Sequence, residues 1–99
     1  MKILVHLTAA EFAKAGEYGN GNQCPIATVL KTKLKPGFDV MVGGWNVSIY
    51  QGRLYEKGKV ANGKFSDRLS TRALHRKPFK ATINFQKTSN IPLSKIFKS

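Results

Sequence analysis

The chain has 99 residues, 41% apolar and 10% aromatic, enough for one modest core and, at about 100 to 200 residues per domain, too short for two domains. Seventeen Lys and Arg against five Asp and Glu leave a net charge of +12, far from the near-neutral balance of ordinary soluble enzymes, so a polyanionic partner is the first expectation. One cysteine, Cys24, excludes an internal disulfide, and two histidines leave no His/Cys set for a structural zinc site.

The apolar run at the start of the chain is too short for a secretory signal. No stretch approaches the roughly 18 apolar residues of a membrane span. The expectation is a cytoplasmic protein with no membrane partner and no cofactor.

Ile3, Leu4, Val5 and Leu7 predict a first strand over Lys2 to Leu7. Thr8 and Glu11 stand at capping-box spacing and predict a short helix from Ala9 to Ala15. The segment Gly16-Glu-Tyr-Gly-Asn-Gly-Asn22 ends it, because Gly and Asn tolerate left-handed backbone. Cys24-Pro25 opens a second helix, with proline in the first turn and Ile26, Val29, Leu30 and Leu34 as its apolar stripe. Lys31 and Lys35 suit its C-terminal dipole, and Pro36-Gly37 stops it.

From Phe38 the apolar period becomes 2, and Gly43-Gly44 between two alternating segments predicts a tight hairpin. A two-residue turn there pairs Val42 with Trp45, Val40 with Val47 and Phe38 with Ile49 on one face, leaving Met41, Asn46, Asp39 and Ser48 on the other. Gln51-Gly52 predicts a second tight turn, pairing Ile49 with Leu54 and placing Tyr50, Arg53 and Tyr55 on the outer face. Asn62-Gly63 reads as a further turn. Ser66 or Asp67 can cap a third helix running to about His75, with Phe65, Leu69 and Ala73 on its buried side, and Pro78 ends it. Phe79 to Phe85 alternates as a final strand, with Lys80, Thr82 and Asn84 outward.

The predicted order is β-α-α-β-β-β-α-β: an α+β fold, a single domain over residues 1–85, with a mainly antiparallel sheet and helices on one face. Residues 86–99 read as a basic C-terminal tail, anchored only by Ile91, Leu93, Ile96 and Phe97.

The charge is uneven. Up to Gly52 there are five basic and three acidic residues, net +2; beyond it twelve basic residues face Glu56 and Asp67, net +10. Arg68, Arg72 and Arg76 recur at i, i+4 and i+8, which on a helix makes one stripe with about 6 Å of rise per step. No acid stands three or four residues from Arg72 or Arg76, so the stripe repels itself and invites an external anion. Arginine's planar fork suits phosphate, and Lys64, Lys77 and Lys80, with His75, widen the patch. Tyr50, Tyr55 and Arg53 form a platform of the kind on which single-stranded bases stack.

Signals for catalysis are sparse. Cys24 at a helix start could hold a thiolate, but neither His6 nor His75 is placed near it by sequence, and it has no Cys-x-x-Cys partner. Gly19-Asn-Gly-Asn-Gln23 lacks both the P-loop ending and the dinucleotide spacing. The five acids are scattered, with no carboxylate pair or two-metal set. The expectation is not an enzyme.

Asn22-Gln-Cys24-Pro25-Ile26-Ala27-Thr-Val-Leu30 resembles the Cys-Pro-Ile/Val-Ala-x-Ala-Leu segment of small accessory proteins of tailed phages, with Val29 at the place of an alanine. Pro78-Phe79 leading to Phe85 is also similar. The resemblance implies a phage protein acting in the bacterial host cell and supplies no catalytic residues. The sequence therefore predicts a binding module for DNA or RNA phosphates. The alternatives are an inhibitor, such as an anti-CRISPR or other anti-defence protein, docking its basic face on an acidic or nucleic-acid-binding host protein, and a sponge for nucleotide second messengers.

Overall fold

A computed structural model of the chain describes residues 1–14, 24–43, 46–52, 58–65 and 78–98. The elements are β1 (Lys2–Leu7), α1 (Ala9–Lys14), α2 (Pro25–Lys33), β2 (Phe38–Val42), β3 (Asn46–Gln51), β4 (Lys59–Phe65), β5 (Phe79–Lys87) and α3 (Leu93–Ile96). The strands form one sheet in the order β1-β5-β4-β3-β2, each neighbour antiparallel. The architecture is the expected α+β. The helix predicted from Ser66 or Asp67 to His75 lies outside the described residues.

Thr8 starts α1 as predicted, its Oγ1 accepting from the Glu11 N–H at 3.4 Å and its carbonyl from Phe12 N–H at 3.2 Å. In α2, Pro25 occupies the first turn, and Ile26, Ala27, Val29 and Leu30 are buried. The inner face of the sheet presents Val5, Leu7, Val40, Val47, Ile49, Ala61, Ile83 and Phe85, all fully buried. Alternation along each strand sends every second residue to this face, and α2 packs there against β1 and β2. The chain's first residue closes the sheet: the Met1 ammonium donates to the Phe85 carbonyl at 3.0 Å, and Phe85 N–H donates to the Met1 carbonyl at 2.7 Å.

Three sequence expectations are corrected. In the β2–β3 hairpin Val42 pairs with Val47, Val40 with Ile49 and Phe38 with Gln51, two positions away from the predicted register. Gly43 N–H donates to the Asn46 carbonyl at 2.8 Å, so the turn is centred one residue later than Gly43-Gly44. A slip of two preserves which side chains face the core, so the apolar pattern could not distinguish the two registers.

The second correction concerns Gln51-Gly52. Gly52 does turn the chain, with φ of 76°, but the strand that pairs with β3 starts at Lys59, and Ile49 faces Ala61 rather than Leu54. Gln51 N–H donates to the Gly58 carbonyl at 3.2 Å, closing a longer connection.

Third, Asn62-Gly63 is not a turn. Both residues lie inside β4, Gly63 between Val47 on β3 and Phe85 on β5. The glycine is there for space: a Cβ at Gly63 would come 2.6 Å from Phe85 Cε1 and 2.7 Å from Ile83 Cγ2.

The boundary expected after Phe85 falls inside β5, which continues to Lys87. Beyond it, Thr88 N–H donates to the Val60 carbonyl at 3.0 Å, α3 makes one turn, and Ile96 and Phe97 enter the core. Phe97 packs on Phe85 with ring centroids 4.8 Å apart and planes tilted by 52°, an arrangement that adds about 0.5–1.5 kcal/mol to the area both rings bury. Leu34 and Phe97 form an antiparallel bridge that fixes this segment to the end of α2.

Gly63→Ala is therefore expected to destabilise the fold by about 1–3 kcal/mol through overpacking, and Phe85→Leu in the same chain to recover part of that loss, as read by urea unfolding of the four chains of the cycle. Phe97→Ala is expected to cost about 3–5 kcal/mol; a change below about 1 kcal/mol would show that the C-terminal segment is not part of the cooperative unit.

Candidate nucleic-acid interface

The described helices bury their apolar residues against one face of the sheet, so the other face carries the outward residues of every strand. β1 contributes Lys2, Leu4 and His6; β5 contributes Lys80, Thr82, Asn84 and Gln86; β4 contributes Asn62 and Lys64. These come from alternate positions of the same strands that supply the core. On β1 and β5 the outward residues Lys2, Leu4, His6, Lys80, Thr82, Asn84 and Gln86 are all exposed. On β3 the outward Ser48 and Tyr50 are half-buried, as is Asn62.

Register places the charges. Lys2 pairs with Asn84, Asn84 with Lys64, and Lys64 with Asn46, so one straight row crosses β1, β5, β4 and β3. Lys2 and Lys64 stand two strand spacings apart, about 10 Å. Lys80 pairs with His6 and lies four residues along β5 from Asn84, about 13 Å away. The lysines thus sit at the corners of a patch with amide and hydroxyl groups between them, and like charges at these separations are held apart by structure while solvent screens them. Nothing in the sequence pattern alone brings Lys2 to this patch, because the β1–β5 pairing joins the two ends of the chain.

Three of the nine residues singled out from sequence fall on described positions. Lys64, Lys80 and Tyr50 all project from the outer face, as expected of Lys80 and Tyr50, and Lys64 joins them because β4 runs through Asn62-Gly63. Tyr50 stands between Asp39 of β2 and Lys59 of β4 at a register shift. Arg53, Tyr55, Arg68, Arg72, Arg76 and Lys77 lie outside the described residues. Asn62 is a residue that the sequence pattern assigns to a turn. Its Oδ1 is buried in this face with no hydrogen-bond partner, an arrangement that costs about 1–3 kcal/mol for an unsatisfied acceptor.

Cys24 precedes the first turn of α2, where N–H groups and the helix dipole favour a thiolate. The side chain is nonetheless buried, only 7% exposed. Burial pushes its pKa above the ordinary 9.0, outweighing the helix-start N–H groups of Ala27 and Ile26 and the more distant charge of Lys31. The Cys24 carbonyl accepts from both the N–H and the Oγ1 of Thr28, at 2.9 and 3.0 Å. The residue is a packed helix cap. Among the described residues no group of three or more His, Cys, Asp or Glu gathers as metal ligands, and no helix is long and apolar enough to cross a membrane.

Comparison of the chain with protein-family models, curated proteins and solved structures finds no match.

Because Cys24 ionises less readily folded than unfolded, the fold holds its proton more tightly. The corresponding stability is complete below the unfolded value of 9.0 and is lost as pH rises from there through the higher folded value. Cys24→Ala should flatten this alkaline decline in denaturant titrations between pH 8 and about 10.5, with the lysines common to both chains. An identical slope in the two proteins would contradict the burial of the thiol.

Proposed function

We propose that the protein is a non-enzymatic binding module that holds phosphates of DNA or RNA with little sequence specificity. The observation that carries this reading is the gathering of Lys2, Lys64 and Lys80 on the sheet face opposite the described helices, in a chain whose second half carries net +10. Lysines fixed on strands meet phosphate without surrendering much backbone entropy, and each neutralised phosphate releases condensed counterions. Arg68, Arg72 and Arg76, spaced four apart in the sequence and outside the described residues, are part of the proposal because their guanidinium forks suit bidentate hydrogen bonds to phosphate, with Lys77 beside them in sequence. Tyr50 on the outer face offers stacking surface for unpaired bases, and Tyr55 and Arg53, which lie outside the described residues, are part of the proposal from sequence alone.

Cys24, the side chain that the sequence offers as a possible nucleophile, is buried at the start of α2 and stands outside this binding reading. The resemblance of the Asn22–Leu30 segment to phage accessory proteins supports an activity inside a bacterial host cell. Docking of the same face on an acidic host protein is the outcome to which a failure of nucleic-acid binding would point.

The test is binding of nuclease-treated protein to labelled single- and double-stranded DNA and RNA over a salt series. Lys64→Gln with Lys80→Gln should lower the slope of log affinity against log salt by about 0.7–0.9 for each phosphate no longer neutralised and weaken binding alike for unrelated sequences. Arg72→Glu should weaken it further. A folded double variant with unchanged affinity and slope would remove the outer face from the interface.

A further inference from the structure

A second group of lysines lies away from the outer sheet face, at the end of α2. The Leu34–Phe97 bridge turns both of its apolar side chains into the core, with Leu34 4% and Phe97 2% exposed. Lys33 and Lys35 flank Leu34 and Lys98 follows Phe97, while Ile96 is buried with the bridge residues. Lys98 N–H donates to the Lys33 carbonyl at 2.8 Å, and Lys35 N–H donates to the Ile96 carbonyl at 2.8 Å, so Lys33 stands opposite Lys98, and Lys35 beside the last turn of α3. Lys95 lies in α3, and Lys98 follows its extended C-cap Phe97. Lys35, Lys95 and Lys98 are exposed and Lys33 is half-buried.

Four like charges thus surround a bridge between segments more than sixty positions apart in the chain, an arrangement that opposes folding. The C-terminal end of α2 offsets it only in part, since a helix dipole supplies about half a negative charge against four positive ones. What remains is a compact positive surface on rigid backbone, on the helix side of the sheet and separate from Lys2, Lys64 and Lys80.

We infer that this cluster is a second nucleic-acid phosphate site, so that one molecule holds two nucleic-acid segments, one on each side of the sheet. The inference rests on the phosphate-binding reading of the outer face and adds bridging to it. A single flat site would bind one segment; two basic surfaces on opposite sides of the sheet hold two, because each phosphate backbone carries its own repulsion and the protein's charge lies between them.

The experiment uses the full chain, a biotinylated DNA duplex on beads and a second, fluorescent duplex of unrelated sequence. Wild-type protein should retain the fluorescent duplex. The variant Lys35→Gln/Lys95→Gln/Lys98→Gln, whose three side chains are exposed, should keep its circular dichroism and its binding to the first duplex while retention of the second falls about tenfold, as expected when several phosphates are no longer neutralised. Retention equal to wild type in the folded triple variant would overturn the inference. So would wild-type protein that binds the first duplex and never retains the second, leaving the outer-face reading intact. Absence of binding to either duplex would overturn both.

Discussion

The ring of Phe85 rests over Gly63, and most of what positions the candidate surfaces follows from that contact. A side chain at position 63 would occupy the space of the ring; without one, the aromatic group lies close against β4 and meets Phe97 at 4.8 Å. Phe97 brings the C-terminal segment with it, Leu34 pairs with that segment, and Lys33, Lys35, Lys95 and Lys98 are drawn together as a consequence. The same β4–β5 pairing sets Lys64 beside Asn84, and through Asn84 in line with Lys2. One large-to-small complementarity in the core therefore governs two charged surfaces on the outside.

This ordering explains how a chain of net +12 folds. Its core is apolar and continuous from β1 across to β2, and the described residues bury no charged side chain in it. The lysines are left at positions where strand alternation, or the outward side of the terminal bridge, keeps them in water. Repulsion among them is a modest cost at physiological salt, where exposed charges more than about 8 Å apart are largely screened, while burial of groups such as Phe85, Ile83 and Leu30 contributes about 1.5–3 kcal/mol each. The charges can be retained for binding because the core does not depend on them.

Features governed by local chemistry were legible in the sequence. Thr8 with Glu11, and Cys24 with Pro25, mark real helix starts, and the alternation in Phe38–Val42, Val47–Ile49 and Phe79–Phe85 identifies the core face correctly. Features governed by partners distant in sequence were not. Apolar period fixes which face a residue takes and leaves a two-residue register slip undetermined, hence the displaced hairpin pairing. Asn62-Gly63 has the composition of a turn, but its glycine answers to an aromatic ring twenty-two residues later. Ile96 and Phe97 looked like weak anchors because nothing local shows that Leu34 awaits them. Of the candidate site, Lys64, Lys80 and Tyr50 were found by charge and alternation, whereas Lys2 and the lysines around Leu34 are assembled only by tertiary pairing.

The central claim is that the outer face of the sheet meets nucleic-acid phosphate. It is tested most directly by following backbone amide resonances of the labelled protein while a single-stranded oligonucleotide is added at low and then at high salt. The account predicts shifts at Lys2, Lys64, Lys80 and Asn84 on the outer face, beside any at the second surface around Lys35 and Lys98, saturating at low salt and reversing as salt is raised. Saturable shifts that leave β1, β4 and β5 unmoved, or no shifts at all in the folded protein, would contradict it.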